Sequence, residues 1–413
     1  MGSIPTAVPI NPFRPGAGQT PVYLAGRTKE QDTFRKMLGQ SPVTQNVIVT
    51  GLRGVGKTVL LETFKPIAQQ AGWLWTGNDL SESTSLTEER VSRRIVVDLS
   101  TLLGPLITHT NIQNPVGFSG RKNEEIRPLA FGDLWQIFEN TPGLTLDKLK
   151  AVFAYVSSLI ESAPIRGIVF AYDEAQNLAD HAAAREYPLS LLLDLFSYLQ
   201  RQPYSKYFML VLTGLPTLYP KLNEARTYTE RMFHVLQLDR LNDEDARLAV
   251  VEPLMNSKLK FSESTIRKIV DLSGGYPYFI QFIGKEVFDA WIGKIENGEA
   301  ASVPMQEILE KLDQDFFAPR WVRATDRQQQ FMYVIASLPN AEDEFSVPEI
   351  AAASRKFLKK NFTASHAVQM LQTLSERGLI YKNRRGSYCF AVPLLARFIQ
   401  RQSMDPSALL DPP

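Results

Sequence analysis

The chain has 413 residues, more than one hydrophobic core usually serves, so the sequence predicts two or three domains. Its 44% hydrophobic and 22% charged residues are typical of a soluble protein. Because 45 basic residues balance 44 acidic ones, the net charge is near zero and cannot by itself attract a nucleic acid. The one cysteine, Cys389, excludes an internal disulfide framework, and we expect it in the core. No apolar run approaches the roughly 18 residues of a membrane span, and the N-terminus lacks a signal-peptide apolar region. We therefore expect a cytoplasmic protein.

The chain begins with a segment that resists helix formation. Residues 1–22 carry five prolines and three glycines, which predicts an extended arm. A box of an aliphatic residue, Gly26, Arg27 and Glu30 follows, and a helical pattern through Phe34 and Leu38 comes next. Taken alone, this box is also compatible with a simple helix N-terminus.

Residues 46–64 have the spacing of a P-loop. An apolar β-branched run ends at Gly51, four residues follow, and Gly56, Lys57 and Thr58 precede a helical pattern. Glycines let backbone N–H groups approach a polyphosphate at a helix N-terminus, where the helix dipole also favours an anion. Lys57 would reach the β- and γ-phosphates of ATP, and Thr58 would bind the Mg²⁺ ion. The predicted nucleotide-binding residues of this loop are Gly51, Gly54, Val55, Gly56, Lys57, Thr58 and Val59.

The next hundred residues predict alternating elements. Residues 73–75 indicate a short strand, residues 87–103 a helix, and residues 146–160 a second helix with regular apolar spacing. Between the two helices, residues from about 104 to 144 are rich in proline and glycine and predict an insertion without a readable role.

Two buried strands follow. Residues 168–172 form an apolar run without alternation that ends in Asp173 and Glu174, as in a strand buried on both faces of a parallel sheet. This pattern predicts a Walker B strand in which Asp173 holds Mg²⁺ and Glu174 is the general base for the attacking water. The alternative is an exposed acidic turn. After a leucine-rich helix over 189–199, a second apolar run over 207–212 ends at Thr213.

These segments, in this order, resemble the AAA+ ATPases of secretion and transposition helpers, and the archaeal origin-recognition-type ATPases with their bacterial relatives. Some of the latter also open with an Asn-Pro-Phe segment like residues 11–13. The resemblance covers roughly residues 11 to 400. It implies that Arg27 lies near the adenine and that Thr213 is a sensor-1 residue between Walker B and the γ-phosphate. For Thr213, a strand end bonded only to backbone is an equal alternative.

The resemblance also implies a residue that acts across a subunit interface. An arginine at the position of Arg231 often contacts a neighbour's γ-phosphate in such families, so Arg231 is the arginine-finger candidate and Arg226 the alternate. For both, a surface arginine in a charged loop is the other interpretation.

Residues 242–292 predict three lid helices, and the joint before Pro277 resembles the Gly-x-Pro lid motif of the same relatives. One departure stands out. Where those lids carry a sensor-2 arginine, this helix offers Gln281 and Lys285, which leans toward STAND-type ATPases that use nucleotide as a switch.

The last eighty residues predict a winged helix-turn-helix. Three helical stripes precede two short strands around a turn at 383–386. From Thr325 to Arg401 there are eleven Lys or Arg and six Asp or Glu, a balance of +5 (11 − 6), which concentrates positive charge here. Protein docking is the alternative to DNA binding for such a module. The predicted DNA contacts are Lys359, Lys360, Ser365, His366, Gln369, Lys382, Arg384 and Arg385.

Together these patterns predict an α/β, three-layer parallel-sheet P-loop NTPase of the AAA+ type. The expected domains are an arm (1–22), a core (23–240), a helical lid and connector (241–320) and a winged helix-turn-helix (321–413). The expected function is ATP-driven DNA binding by a homo-oligomer, with ATP or ADP and Mg²⁺ as cofactors. A STAND-like switch that oligomerises and engages a protein effector is the alternative. The four histidines are too scattered to predict a metal cluster.

Overall fold

The computed structural model describes residues 10–402 except 17, 82–85, 107, 114–122, 258, 297–302, 359 and 385, and for 108–113, 123–127, 295, 296 and 384 it describes the backbone alone. The strands are β1 Asn46–Gly51, β2 Trp73–Asp79, β3 Thr108–Gln113, β4 Asn123–Pro128, β5 Gly167–Asp173, β6 Phe208–Gly214, β7 Phe233–Leu238, β8 Phe345–Ser346, β9 Ile380–Arg384 and β10 Ser387–Phe390. The helices are α1 Thr28–Leu38, α2 Lys57–Gln70, α3 Glu88–Leu103, α4 Phe131–Asn140, α5 Thr145–Glu161, α6 Pro188–Leu199, α7 Leu218–Ala225, α8 Thr229–Met232, α9 Asp243–Leu254, α10 Glu263–Ser273, α11 Pro277–Glu296, α12 Met305–Leu312, α13 Ala318–Trp321, α14 Asp326–Ala336, α15 Val347–Phe357, α16 Ala364–Glu376 and α17 Leu395–Gln402.

The chain forms two compact units. The sheet unit comprises residues 29–50 and 60–237, and the loop unit comprises the residues up to 28, 51–59, and those from 238 onward. The P-loop residues therefore belong to the same unit as the C-terminal half of the chain.

The sheet unit is built on a five-stranded parallel sheet in the order β2-β5-β6-β1-β7. Strand β6 lies between β5 and β1, with Ala171 paired to Val211 on one side and Val47 paired to Val211 on the other. Every residue of β1, β5 and β6 is buried, which explains why these strands are continuous apolar runs rather than alternating ones.

Helices cover both faces of this sheet. Successive side chains of a strand point to opposite faces, and on β2 Leu74 packs against the apolar core of α3, α5 and α6. Its neighbour Trp75 instead meets the α1 residue Phe34 edge-on at 6.2 Å, and Phe34 stacks on Phe64 of α2 at 4.2 Å. The sheet unit therefore has the three layers that the sequence predicts.

The carboxyl ends of β1, β5 and β6 meet at one edge of the sheet. The register pairs Val49 with Thr213 and Tyr172 with Leu212, so the ends of the three strands stand level. From β1 the chain crosses to β2 at one side of the sheet, whereas from β6 it crosses to β7 at the other side. Ligands of open α/β sheets bind at such a reversal, outside the carboxyl ends of the strands.

The region that the sequence predicts as an insertion holds regular structure. An antiparallel pair, β3 and β4, joins Thr108 to Pro128 in register, and helix α4 follows. Helix α4 buries Leu134 and Phe138 in the same core as α3 and α5.

The loop unit contains α9 to α11 and the N-terminal segment packed on them. Asn11 donates to the Lys285 carbonyl at 3.0 Å and to Asp289 at 2.7 Å, and Phe13 is buried against the ring of Phe261. The Asn-Pro-Phe segment is thereby fixed on α11 and on the residues just before α10.

The C-terminal module, residues 325–402, combines α14 to α17 with a small antiparallel sheet in the order β8-β10-β9. Thr325 caps α14, Ser346 and Glu349 form a capping box at α15, and Thr363 caps α16. Arg397 bonds the Asp271 carbonyl at 2.8 Å, and Arg401 pairs with Asp313. This module therefore contacts α10 and the segment after α12.

The predicted strands and most predicted helices lie where the sequence puts them. The elements that were not predicted are β3, β4, β7, β8, α4, α7, α8, α12, α13 and α17. The domain boundaries, the lid and the winged helix stay predictions. Among the described residues no helix is long and apolar enough to cross a membrane.

Candidate functional site

The P-loop follows β1 and depends on glycine for its conformation. Gly54 and Gly56 have φ of +80° and +93°, which side-chain-bearing residues rarely adopt. Helix α2 begins at Lys57, so its first N–H groups lie at the end of this loop. The loop thus has the geometry of an anion-binding helix N-terminus.

Lys57 is held inside the loop. Its side chain is 8% exposed, and its ammonium group donates to the Gly51 carbonyl at 3.0 Å and to the Leu52 carbonyl at 2.9 Å. Thr58 and Val59 are half-buried in the first turn of α2, and Val55 is buried. The positive charge is therefore fixed at the loop.

Two contacts from elsewhere in the loop unit brace the P-loop. Arg27, which is 6% exposed, donates to the Val55 carbonyl at 3.1 Å and to the Asp239 carbonyl at 2.6 Å. The Tyr278 amide, just after Pro277 at the start of α11, donates to the Gly54 carbonyl at 3.1 Å. The sequence singled out Arg27 and Pro277 but missed Asp239 and Tyr278, because these contribute backbone atoms that no residue type marks.

In the sheet unit, Asp173 and Thr213 lie side by side. Asp173 is 4% exposed and Thr213 is fully buried, and the Thr213 hydroxyl donates to the Asp173 carboxylate. A longer bond of 3.4 Å joins the same hydroxyl to the Tyr172 carbonyl. The two residues predicted from separate strands are thus brought together at the carboxyl edge.

Glu174 projects from this edge. It is exposed, and its backbone is left-handed (φ 52°, ψ 35°), a strained conformation that concentrates at functional sites. Gln176 donates through its side-chain amide to the Glu174 carboxylate, and its carbonyl oxygen accepts from the Leu215 amide at 3.1 Å. Lys221 donates to the main-chain carbonyl of Gln176 at 2.7 Å. Gln176 was not predicted from the sequence, although its place two residues after the acid pair could have suggested it.

Beneath this edge, the residue before Asp173 is anchored to a buried carboxylate. Tyr172 donates to Asp98 at 2.9 Å, and Arg94 pairs with Asp98 at 3.0 Å. Burial raises the pKa of Asp98 against the opposing effects of Arg94 and Tyr172.

The two finger candidates differ in their surroundings. Arg226 makes a two-pronged pair with Asp194, with both contacts at 2.8 Å, and Tyr228 bonds the same carboxylate at 2.5 Å. Arg231 is exposed on α8 and lines a surface cavity of about 530 Å³ beside Lys150. Of the two, Arg231 is the arginine whose side chain makes no ion pair to the described residues.

The two α11 residues at the expected sensor-2 position are engaged locally. Gln281 accepts from the Arg14 amide at 2.9 Å, and Lys285 pairs with Asp289 at 2.8 Å.

Among the predicted DNA contacts, Lys360, Ser365, Gln369 and Lys382 are exposed and His366 is half-buried beside the Phe362 ring. Ser365, His366 and Gln369 lie on α16. Lys359 and Arg385 fall outside the described residues, as does the side chain of Arg384. Cys389 is buried, as predicted, and the described residues contain no cluster of three or more His, Cys, Asp or Glu that could hold a metal ion alone.

Comparisons with known proteins agree with this geometry. Residues 23–211 match the family model described as AAA ATPase domain, and residues 314–399 match the model described as Domain of unknown function (DUF8462). No curated protein matches the sequence.

Solved structures show the same fold over nearly the whole chain. The Walker-type ATPase PABY2304 of Pyrococcus abyssi has a TM-score of 0.57 at 18% identity, covering 91% of this chain and 96% of its own. The Aeropyrum pernix ORC2 protein, solved in ADPNP–ADP complexes, has a TM-score of 0.53 at 13% identity, covering 95% of this chain and 98% of its own.

The family match over residues 23–211, the P-loop and the shared fold support a nucleotide-binding P-loop ATPase of the AAA+ type. The chain resembles origin-recognition-type ATPases, as the sequence motifs predict.

Proposed function

We propose that ATP binds at the P-loop, where the N–H groups of Gly54 to Val59 surround its phosphates and Lys57 neutralises their charge. Thr58 and Asp173 would hold a Mg²⁺ ion, because hydroxyl and carboxylate oxygens are the ligands that Mg²⁺ takes beside substrate phosphates. A buried, hydrogen-bonded Asp173 fits that role. Mg²⁺ would neutralise charge that develops on the β- and γ-phosphates.

Hydrolysis on this proposal uses residues of the same edge. Glu174 accepts a proton from the attacking water, and Thr213 positions Asp173 and senses the γ-phosphate. Arg231 supplies positive charge to the site of a neighbouring subunit, so turnover is slow in the monomer and rises in a homo-oligomer. The contrast between the paired Arg226 and the exposed Arg231 supports this choice.

The protein further couples ATP to double-stranded DNA through its C-terminal module, which we interpret as a winged helix. One observation carries this step: the outward side of α16 presents exposed Ser365, Gln369 and Gln372, and Lys382 of β9 is exposed in the strand before the wing turn. A polar helix face and a basic turn suit base edges and phosphates respectively. Lys359, Lys360, Arg384 and Arg385 add positive charge along the same module.

The test is fluorescence anisotropy with a duplex oligonucleotide at several salt concentrations. Replacing Arg384 and Arg385 with Ala should weaken binding to all sequences and flatten its salt dependence, because each lost phosphate contact lowers the slope by about one. The matched control removes two exposed charges of α10, Arg267 and Lys268, and should change nothing. Absence of DNA binding by the parent would reject this part of the proposal.

A second function is favoured by a contact inside the loop unit. Gly378 of the C-terminal module lies beside the Arg53 guanidinium of the P-loop, so the module is in a position to respond to nucleotide. This would suit a STAND-like switch that oligomerises with ATP and engages a protein effector. The duplex titration separates the two functions, because the first requires DNA binding by the parent chain whereas the switch assembles with ATP alone. In either case the single cysteine suits the cytoplasm.

A further inference from the structure

A surface cavity of about 620 Å³ in the loop unit is lined by several arginines and one carboxylate. Arg53 comes from the P-loop, Arg320 and Arg323 from α13 and the residues after it, and Arg377 from the end of α16; the carboxylate is Asp315. Four guanidinium groups against one carboxylate leave a charge of +3 (4 − 1). The volume lies within the roughly 300–1,000 Å³ of small-molecule sites.

These arginines are not neutralised as others in the chain are. Arg397 pairs with Glu342 at 2.5 Å, whereas Arg377 donates to the neutral Arg323 carbonyl at 2.9 Å and to Gln328 at 2.8 Å. Arg320 donates to the Phe316 carbonyl and lies 4.3 Å from the centre of its ring. The side chains of Arg53 and Arg323 make no hydrogen bond or ion pair to the described residues.

The arrangement costs electrostatic free energy. Burial, and then the positive charge of Arg53 and of Arg323, lower the pKa of Arg320 below its ordinary value. Like charges that converge from separate segments repel one another, and an anion between them would convert that repulsion into attraction.

We propose that this cavity binds a small ligand with two or more phosphoryl groups, at a site separate from the ATP site of the P-loop. Guanidinium groups bind phosphoryl oxygens through paired N–H donors, and four of them exceed what one phosphate needs. Lys57, by contrast, donates to the Gly51 and Leu52 carbonyls and does not line this cavity. A ligand here would tie the P-loop, through Arg53, to the C-terminal module, through Arg377.

The experiment is a calorimetric titration of pyrophosphate into the full-length Lys57→Ala chain, in which the ATP site is disabled. We expect one bound pyrophosphate per chain. Adding Arg323→Gln should weaken binding about tenfold or more, as expected for a lost charge-assisted hydrogen bond. Arg323 is exposed and its side chain bonds to nothing described, so this variant should fold, which a thermal melt checks. Arg267→Gln, an exposed arginine of α10, is the matched control.

Two outcomes overturn the proposal. Pyrophosphate that binds the parent but not Lys57→Ala occupies the P-loop, and equal affinity in the Arg323→Gln and Arg267→Gln chains excludes the cavity. Titration of ADP into the same chains separates the sources of the phosphoryl groups. ADP that binds tighter than pyrophosphate, and loses affinity with Arg323→Gln, indicates a nucleotide; equal affinities indicate that phosphate alone is recognised. If the proposal for this cavity is wrong, the parent chain should still bind ATP at the P-loop, so the proposed function would stand.

Discussion

Glu174 carries both the exposed carboxylate and the strained backbone of the sheet edge. A left-handed conformation costs a residue with a side chain roughly 1–2 kcal/mol. The link from its carboxylate through Gln176 to the Leu215 amide holds the side chain against the loop after β6. At the residue scale, Gln176 therefore holds the carboxylate that we propose as the general base.

Replacing Gln176 with Ala should lower kcat for ATP by roughly tenfold to a hundredfold and leave the Kd for ATP unchanged, because the base is misplaced while the phosphates are still bound. Single-turnover kinetics and an equilibrium ATP titration measure the two quantities. The control is Gln69→Ala, an exposed glutamine of α2. A loss of ATP affinity in the Gln176 variant would mean that the residue acts on binding.

Lys57→Ala should abolish ATP binding at the P-loop, whereas Glu174→Gln should retain it and stop turnover, because Lys57 holds phosphate charge and Glu174 only activates water. Filter binding and phosphate release distinguish the two effects. Lys65→Ala, an exposed lysine of α2, should behave as the parent. Parent-like hydrolysis by Glu174→Gln would show that the Walker B assignment is wrong.

The site residues could be predicted where each motif is contiguous. Gly51 to Thr58 and Asp173 with Glu174 are marked by residue type and spacing. Asp239 and Tyr278 could not be predicted, because the contacts that their backbone atoms make depend on how distant segments fold together.

At the scale of elements, two arginines near α8 differ in their surroundings. Arg226 lies in the loop before α8 and pairs with Asp194, whereas Arg231 lies on α8 and is exposed. Burial alone would raise the pKa of Asp194, but the hydrogen bonds from Arg226 and Tyr228 hold this pKa below its ordinary value. Arg226 thereby fixes α6 to the start of α8. Arg231, one turn later, is left on the surface.

Arg226→Ala should lower the stability of the chain, by at most about 1 kcal/mol for such a half-exposed pair, and Arg231→Ala should not. The pKa of Asp194 is depressed in the folded chain, so its contribution is present above the unfolded value of about 3.9 and is lost as pH falls through the folded value. Thermal melts should therefore separate Arg226→Ala from the parent at pH 7 and bring them together in acid. A pH-independent difference would show that the pair does not account for the loss.

The sequence predicts the central strands well because each is buried on both faces and is therefore apolar throughout. Strand β7 was missed because its six residues mix buried, partly exposed and exposed positions without regular alternation, and such a short pattern also fits a loop. Helix α4 was missed because proline and glycine on either side suggested a break in regular structure.

At the scale of the whole molecule, the proposal places Arg231 in a neighbour's active site. Turnover per subunit should rise with protein concentration, because an arginine finger can contribute about 10³-fold or more to phosphoryl transfer. A dilute chain should bind ATP and barely hydrolyse it. Phosphate release measured over a dilution series tests this.

Mixing Arg231→Ala with Lys57→Ala chains should restore part of the activity, since each supplies at one kind of interface what the other lacks. Arg226→Ala mixed with Lys57→Ala is the matched comparison, because the Arg226 variant retains its finger. Turnover independent of concentration, with no rescue in the mixture, would favour a self-contained switch.

The braces on the P-loop also set an order of events during synthesis. The loop spans residues 51–59, but its Val55 and Gly54 carbonyls are bonded by Arg27, itself held at Asp239, and by the Tyr278 amide. The ribosome has made both the P-loop and strand β5 long before residue 278 leaves the exit tunnel. A nascent chain should therefore carry a complete set of motifs with no competent nucleotide site, and cofactor capture should wait for the start of α11. Chains that end at Asp239 should therefore not bind ATP, even though they contain the whole region that matches the ATPase family.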